Sequence, residues 1–257
     1  MAFDRSQWDS WERNARKSVE YNDLDGRAAF NFAMTLANVG QYQEAYQWYD
    51  VALSKSPSVS YYWEGAIAAR ICGTDYENAL LMTGQYRAVG GDSNAYHAFR
   101  AYALDRLGHK AESANALEKI SPKPMLVAMW VIPGFHDYLL CQSDQRDAVM
   151  QRLDELEISV ARELRIQYCA AGAGELDTLF ESFDRTIADD QIIYLTDVIS
   201  TDVKIDPRWP KVASYMNLPW GLALNLNPSH KLMSKNSCQR SDNHSRARHP
   251  VQPRARG

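Results

Sequence analysis

The chain has 257 residues, of which 46% are hydrophobic, and a formal net charge of −4. It is long enough to bury a core without disulfides. Four cysteines without a CxxC pair favour a reducing, cytoplasmic compartment over a disulfide framework or a zinc site. No signal peptide is predicted, and the most apolar stretch, 125–135, is shorter than the about 20 residues that span a bilayer.

Residues 1–25 predict an N-terminal capping helix. Trp8, Trp11, Ala15 and Val19 recur at three- and four-residue spacing and form one apolar stripe. We interpret the stripe as packing on the first element of a helical array, because the ends of repeat arrays need a cover.

Residues 26–57 predict a pair of antiparallel helices. Ala33 and Ala45 are small residues at the predicted helix crossing, and Tyr49 fills the space beside them. Gly40 ends the first helix, and the proline at the end of the segment stops the second. This pattern resembles the tetratricopeptide repeat (TPR), a helical hairpin of about 34 residues.

Two further hairpins complete the predicted repeat region, 26–121. The hairpin at 58–91 carries Gly65 at a close contact, and we expect Ala79 as the small residue of its second helix, displaced by two positions. The hairpin at 94–121 is more regular, although serine replaces alanine at its second small position; its markers are Ala101, Gly108, Ser113 and Leu117.

Residues 122–222 predict degenerate helical repeats. We expect a buried helix from 125 that ends at Pro133 and Gly134, and a second helix over 144–157. A hairpin follows over 158–187, with its turn at 172–174. Short helices are then predicted over 189–198 and from 207 to near Met216.

The end of this region resembles a closing segment of bacterial TPR proteins, in which a repeat of the form G-E-x-D-x-A-F-x-x-L-x-x-A leads to D-P-R-F-x-x-L-x-x-x-x-L-P. The group includes the repeat halves of class III cyclase-type proteins and of winged-helix transcriptional activators. In these proteins the repeat half senses or docks while another domain acts. The matching positions here are Asp206, Pro207, Arg208, Trp209 (replacing phenylalanine), Val212, Met216, Leu218 and Pro219.

Within this motif, Asp206 is predicted to cap a helix that begins at Pro207, since proline suits the first helical turn. Arg208 is expected to reach a nearby carboxylate or a helix C-terminus.

Residues 223–257 predict a disordered basic tail. From residue 226, seven basic residues stand against one acidic residue, a charge of +6 that leaves −10 on the remaining chain. The acidic body is therefore a poor candidate for nucleic-acid binding. The tail could contact RNA, lipid or the body itself, or be a non-native extension; the sequence leaves these alternatives open.

The resemblance to TPR proteins implies an all-α, right-handed superhelix whose first helices line a concave groove. The groove positions of the three repeats are Arg27, Phe30, Met34, Tyr62, Tyr102 and Asp105. Chaperone-binding TPRs hold a C-terminal carboxylate with lysine, asparagine and arginine side chains, and here apolar residues stand at those positions. The groove therefore favours apolar or aromatic anchors of a protein or peptide partner. Alternatively, Phe30 and Tyr62 pack on the N-terminal helix.

No catalytic motif, cofactor motif or metal-ligand spacing is recognisable. His97, His109 and His136 are isolated in the sequence. The sequence therefore predicts a non-catalytic, cytoplasmic scaffold with no cofactor and no membrane contact, and leaves homo-oligomerisation open. The alternative is a regulatory or ligand-sensing half of a signalling or transcriptional regulator.

Overall fold

The structure is a computed structural model that describes residues 8–21, 26–121, 125, 127, 129, 131–156, 159–189, 197–199 and 201–216. All of them belong to the first of the two units into which the chain divides, residues 1–224. The predicted basic tail lies outside the described residues. The described ranges contain thirteen helices and no strand: α1 Trp8–Tyr21, α2 Gly26–Asn38, α3 Tyr42–Lys55, α4 Ser60–Cys72, α5 Tyr76–Ala88, α6 Ser93–Arg106, α7 Lys110–Leu117, α8 Val131–Cys141, α9 Arg146–Asp154, α10 Ser159–Ala173, α11 Leu176–Ala188, α12 Thr201–Ile205 and α13 Trp209–Tyr215.

The helices pack as successive hairpins. Helix α2 packs on α3, α4 on α5, α6 on α7, α8 on α9 and α10 on α11, while α1 packs on α2. The first helices of the hairpins also adjoin one another, from α2 to α4, α6, α8 and α10. This arrangement confirms the predicted all-α, TPR-like array of hairpins and is consistent with its right-handed superhelix. We call the side formed by α2, α4, α6, α8 and α10 the first-helix face.

A left-handed backbone residue marks the turn inside each of the first three hairpins. These residues are Gly40 (φ 79°), Thr74 (φ 64°) and Gly108 (φ 84°), and each follows the previous one by 34 positions. Glycine adopts this conformation without a steric penalty, whereas a β-branched threonine does not. The turn geometry is thus kept in the second hairpin even where the residue type is unfavourable, which shows how regular the array is.

The small residues of the second helices follow the same period. Ala45 and Ala79 have no exposed surface, and Ala79 stands 34 positions after Ala45. The expected displacement of Ala79 by two positions is therefore wrong. Ser113 takes the equivalent place in α7, and its hydroxyl donates to the carbonyl oxygen of Ala101 at 2.7 Å. This bond satisfies the buried polar group that replaces the alanine methyl.

Helix α8 differs from the expectation of a helix that ends at Pro133 and Gly134. It begins at Val131 and includes both residues. Proline is tolerated here because the N–H groups of the first helical turn have no intrahelical acceptor. At Gly134 a Cβ atom would come 2.5 Å from Cδ2 of Tyr168, so glycine allows α8 and α10 to approach closely.

A disulfide joins Cys141, at the end of α8, to Cys169 in α10, with an S–S distance of 2.02 Å. The sequence-based preference for four reduced cysteines is therefore wrong for this pair. The two residues are 28 positions apart and show no motif, but α8 and α10 pack side by side. Since disulfides persist mainly in oxidising compartments, the bond removes the reason for preferring a reducing one, and a cytoplasmic location stays a prediction.

The C-terminal helices also correct the predicted cap. Asp206 does not cap a helix at Pro207, because α13 begins at Trp209. Instead, an oxygen of the Asp206 carboxylate accepts from the backbone N–H of Arg208 at 2.9 Å. Arg208 also donates to Asp177 of α11 at 2.8 Å, which confirms the expectation that it reaches a carboxylate. Most of the predicted helix at 189–198 lies outside the described residues.

Candidate binding site on the first-helix face

The structure buries four of the six residues predicted to line the groove. The exposed fractions are 6% for Phe30, 3% for Tyr62, 0% for Tyr102 and 8% for Asp105. Arg27 is exposed and Met34 is half-buried. The six residues come together as one site only in part: four lie on α2 and α4, and the other two lie on α6.

Phe30 and Tyr62 belong to an aromatic cluster between the first two hairpins. Their rings are stacked at 4.9 Å, and Phe30 also meets Tyr49 and Tyr61 edge-on at 5.7 and 5.2 Å. A Cβ atom at Gly65 would come 2.7 Å from Cε2 of Phe30, which explains the glycine predicted at this contact. In this packing the two rings stabilise the hairpin interface, and their contact with a partner stays a prediction.

The carboxylate of Asp105 is hydrogen-bonded within the folded chain. Its carboxylate accepts from Nζ of Lys110 at 2.6 Å and from Nε2 of Gln142 at 3.3 Å. A carboxylate with two such partners is already satisfied in the folded chain. Asp105 therefore links the third hairpin to the residues that follow α8.

Tyr102 leads to a cluster that the sequence analysis did not identify. Its hydroxyl donates to the buried carboxylate of Asp197 at 2.7 Å. Tyr76 of α5 and Tyr168 of α10 donate to the same carboxylate at 3.3 and 3.5 Å. Three hydroxyl groups from three different hairpins thus surround one side chain of a segment that belongs to none of the helices.

Arg106 supplies the positive charge of this cluster. Its Nε lies 4.0 Å from the Asp197 carboxylate and donates to the hydroxyl of Tyr76 at 3.1 Å. Its Nη1 donates to the hydroxyl of Tyr138 at 3.0 Å. We call Tyr76, Tyr102, Arg106 and Tyr168 the carboxylate clamp.

Burial determines the ionisation of the clamp. Burial raises the pKa of Asp197 to about 6. The hydrogen bond from Tyr102 and the positive charge of Arg106 lower this pKa, but their effect is smaller than that of burial. Burial also raises the pKa values of Tyr76, Tyr102 and Tyr168, so these groups stay protonated and donate. At neutral pH the site therefore holds a carboxylate anion.

The raised pKa has a consequence for stability. A carboxyl whose pKa rises on folding from 3.8 to about 6 makes the folded state less stable as pH rises through that interval. The ionised Asp197 then costs about 3 kcal/mol of folding free energy above the interval and nothing below it. The clamp accepts a carboxylate at neutral pH, but the chain holds it at a cost.

A cavity of about 300 Å³ adjoins the clamp on the first-helix face. Its lining comes from α6, α8, α10, α11, α12 and the segment 197–199, and includes Tyr102, Arg106, Tyr138, Glu175, Leu176 and Asp197. The Arg106 side chain is 33% exposed, whereas the Asp197 side chain is fully covered. The cavity is therefore bordered by the partly exposed guanidinium of Arg106 and the hydroxyl of Tyr138, next to the carboxylate of Asp197 that the clamp already binds.

The two residues after Asp197 are apolar and are also bound by the array. Val198 is buried in a core cluster that contains Tyr76, Tyr102 and Tyr168. Ile199 is buried in a second cluster with residues of α11 and α13. The segment 197–199 therefore presents one acidic and two apolar side chains to the helices around it.

The described residues include side chains of the types that bind metals, the free thiol of Cys72 and thirteen helices. They contain no group of three His, Cys, Asp or Glu side chains arranged to hold a metal ion. Burial raises the pKa of the Cys72 thiol, which keeps it protonated and therefore a poor nucleophile. None of the described helices combines the length and apolar character that a bilayer span requires.

Comparison with known proteins adds one structural neighbour. No protein-family model matches the chain, and no curated protein matches it. A solved structure described as YrrB, "a TPR protein with an unusual peptide-binding site", aligns with a TM-score of 0.39 and 18% sequence identity. The alignment covers 69% of this chain and 92% of that one.

Proposed function

We propose that the protein is a non-catalytic interaction scaffold that binds a segment of a protein or peptide partner on its first-helix face. One observation carries the proposal: α6 and α10 of this face, together with Tyr76 of α5, already bind an irregular segment of the same chain through the clamp around Asp197. The first helices of a TPR-like array line a concave groove, and such grooves bind extended or helical peptides.

The clamp defines the chemistry of the partner segment. Three hydroxyl donors and Arg106 select a carboxylate, because charge-assisted hydrogen bonds are about twice as strong as neutral ones. The burial of Val198 and Ile199 beside Asp197 provides for apolar side chains next to the acidic one. The proposed ligand is therefore an acidic residue followed by β-branched apolar residues.

Displacement of the internal segment opens the site. The partner's acidic residue takes the place of Asp197, and the adjoining cavity beside Arg106 and Tyr138 receives neighbouring atoms. Arg27 and Met34, at the first repeat, are the residues of the sequence-predicted groove that are accessible for additional contacts.

The test uses the full chain with Asp197→Ala and a fluorescent peptide of residues 193–200, IYLTDVIS. We expect this variant to bind the peptide, and a peptide with asparagine in place of the aspartate to bind about tenfold more weakly, because the amide nitrogen that replaces one carboxylate oxygen cannot accept from the donors of the clamp. Fluorescence anisotropy measures both affinities at fixed ionic strength. Asp197→Asn, which keeps the shape of the side chain, is the second variant if the alanine variant does not fold.

A second substitution separates the clamp from general charge. Arg106→Gln added to Asp197→Ala is expected to abolish the difference between the two peptides, whereas Arg152→Gln, at an exposed residue of α9, preserves it. Equal binding of both peptides to the Asp197→Ala chain would contradict the proposal. The alternative function as a regulatory half of a larger regulator stays a prediction, since no described feature favours it.

A further inference from the structure

A second cavity lies between α6 and α7, away from the clamp. Its volume is about 390 Å³. Leu104, Ala111 and Ala116 form its apolar part, and Asn115 contributes an amide. Its remaining lining includes several nitrogen-bearing or aromatic side chains: Tyr96, His97, Arg100 and Lys119.

Positive charge converges on this cavity. Arg100 and Lys119 line it, and Arg87 of α5 lies over the ring of Tyr96 at 4.9 Å. Arg100 lies over the same ring at 5.7 Å. The pKa of His97 is lowered, first by burial and then by the charges of Arg87, Lys119 and Arg100. The imidazole is therefore neutral at pH 7 and retains one N–H donor.

The acidic side chain at the cavity does not balance this charge. Glu112 lines it and contributes one negative charge, against the positive charges of Arg100 and Lys119 in the lining and of Arg87 nearby; its carboxylate also lies 3.2 Å from Nδ1 of His109. Within the described ranges, no ion pair joins Arg87, Arg100 or Lys119 to a carboxylate. This concentration of cations is unusual in a chain whose body carries a formal charge of about −10.

We infer that the cavity between α6 and α7 is a binding site for a phosphate group, held by Arg100 and Lys119 with Arg87 and His97 beside them. A dianion matches the two cations that line the cavity, with Arg87 nearby, better than a monocarboxylate does. Guanidinium and ammonium groups both bind phosphate oxygens, and arginine does so with a planar pair of donors. The apolar part and the amide of Asn115 leave room for the organic part of a phosphate monoester.

The site is distinct from the clamp in geometry and in ligand. The clamp lies on residues of α5, α6 and α10 and binds a carboxylate, whereas the cavity uses α6 and α7 with the end of α5 beside it. A phosphate ligand would therefore bind whether or not the clamp is occupied. The inference does not depend on the proposed function.

The experiment titrates the full chain by isothermal titration calorimetry at constant ionic strength. The probes are inorganic phosphate, O-phospho-L-serine and acetate. We expect one phosphate-binding site per chain, with acetate binding at least about tenfold more weakly. Tighter binding of phosphoserine than of inorganic phosphate would indicate a phosphate monoester as the ligand, and equal binding would indicate the free ion.

The matched variants locate the site. Arg100→Gln with Lys119→Gln is expected to raise the Kd for phosphate about tenfold or more. The control, Lys55→Gln with Arg152→Gln, removes the same charge from exposed positions elsewhere and should change the Kd less than about twofold. Circular dichroism checks that both variants keep their helices. Equal losses in the two variants, equal binding of acetate and phosphate, or no phosphate binding would overturn the inference.

Discussion

Replacing Arg165 with alanine is expected to lower the free energy of unfolding by about 3–5 kcal/mol. Arg165 of α10 donates to both carboxylate oxygens of Asp137 in α8, at 2.5 and 3.0 Å. The Asp137 side chain is fully buried, so removal of the arginine leaves an uncompensated charge in the core. Denaturant-induced unfolding, followed by far-ultraviolet circular dichroism, measures the loss.

Two control variants test this reason. Arg165→Lys keeps the charge but loses the bidentate hydrogen bonding, and its free energy of unfolding is expected to lie between those of the wild type and the alanine variant. Arg165→Met combined with Asp137→Leu removes both charges and should recover most of the loss. A decrease below about 1 kcal/mol for Arg165→Ala would contradict the buried pairing.

Loss of the disulfide has the second large expected effect. Cys141→Ala with Cys169→Ala should lower the free energy of unfolding by about 3–4 kcal/mol, the value expected when a closed loop of about 28 residues is released in the unfolded state. Unfolding of the oxidised chain, the reduced chain and the double variant measures the difference. The reduced wild type and the double variant should unfold at similar denaturant concentrations.

Reductant itself provides the control for the disulfide. It should destabilise the wild type and leave the double variant unchanged, because Cys72 is the free cysteine among the described residues. If oxidised and reduced wild type unfold at the same denaturant concentration, the two cysteines are not bonded.

The features that the sequence predicted are those with local signals. The small residues at 33 and 45, the glycine at 40 and the tyrosine at 49 lie within one repeat of about 34 residues, and the glycine at 108 stands two such periods after the first, so the pattern is visible locally. Even there, the position of Ala79 was misjudged, although it keeps the 34-residue period. The prediction that a helix ends at Pro133 was wrong because proline, although unfavourable inside a helix, is acceptable in its first turn.

The candidate site could not be predicted in the same way. Asp197 meets Tyr76, Tyr102 and Tyr168, from which it is separated by 121, 95 and 29 residues in the chain. Contacts between residues so far apart in the chain leave no spacing pattern in the sequence. Only Tyr102 was placed in the groove from the repeat frame, and its partner was not foreseen. Cys141 and Cys169 were missed for the same reason, since they meet through helix packing rather than through a motif.

The burial of Phe30 and Tyr62 also changes what can be tested on the predicted groove. Replacing both with alanine would remove rings from a packed cluster and is expected to destabilise the hairpins. Loss of partner binding in that variant would therefore not locate the site. The clamp offers a better test, because the charge of Asp197 can be removed while the size of the side chain is nearly kept.

In the proposed function, a partner's acidic residue takes over the site that Asp197 occupies. The most direct measurement compares the affinities of the wild-type chain and the Asp197→Ala chain for the same IYLTDVIS peptide. We predict about tenfold tighter binding to the variant, because in that chain the aspartate of the peptide does not compete with the carboxylate of residue 197. Equal affinities for the two chains, with both folded, would contradict the claim.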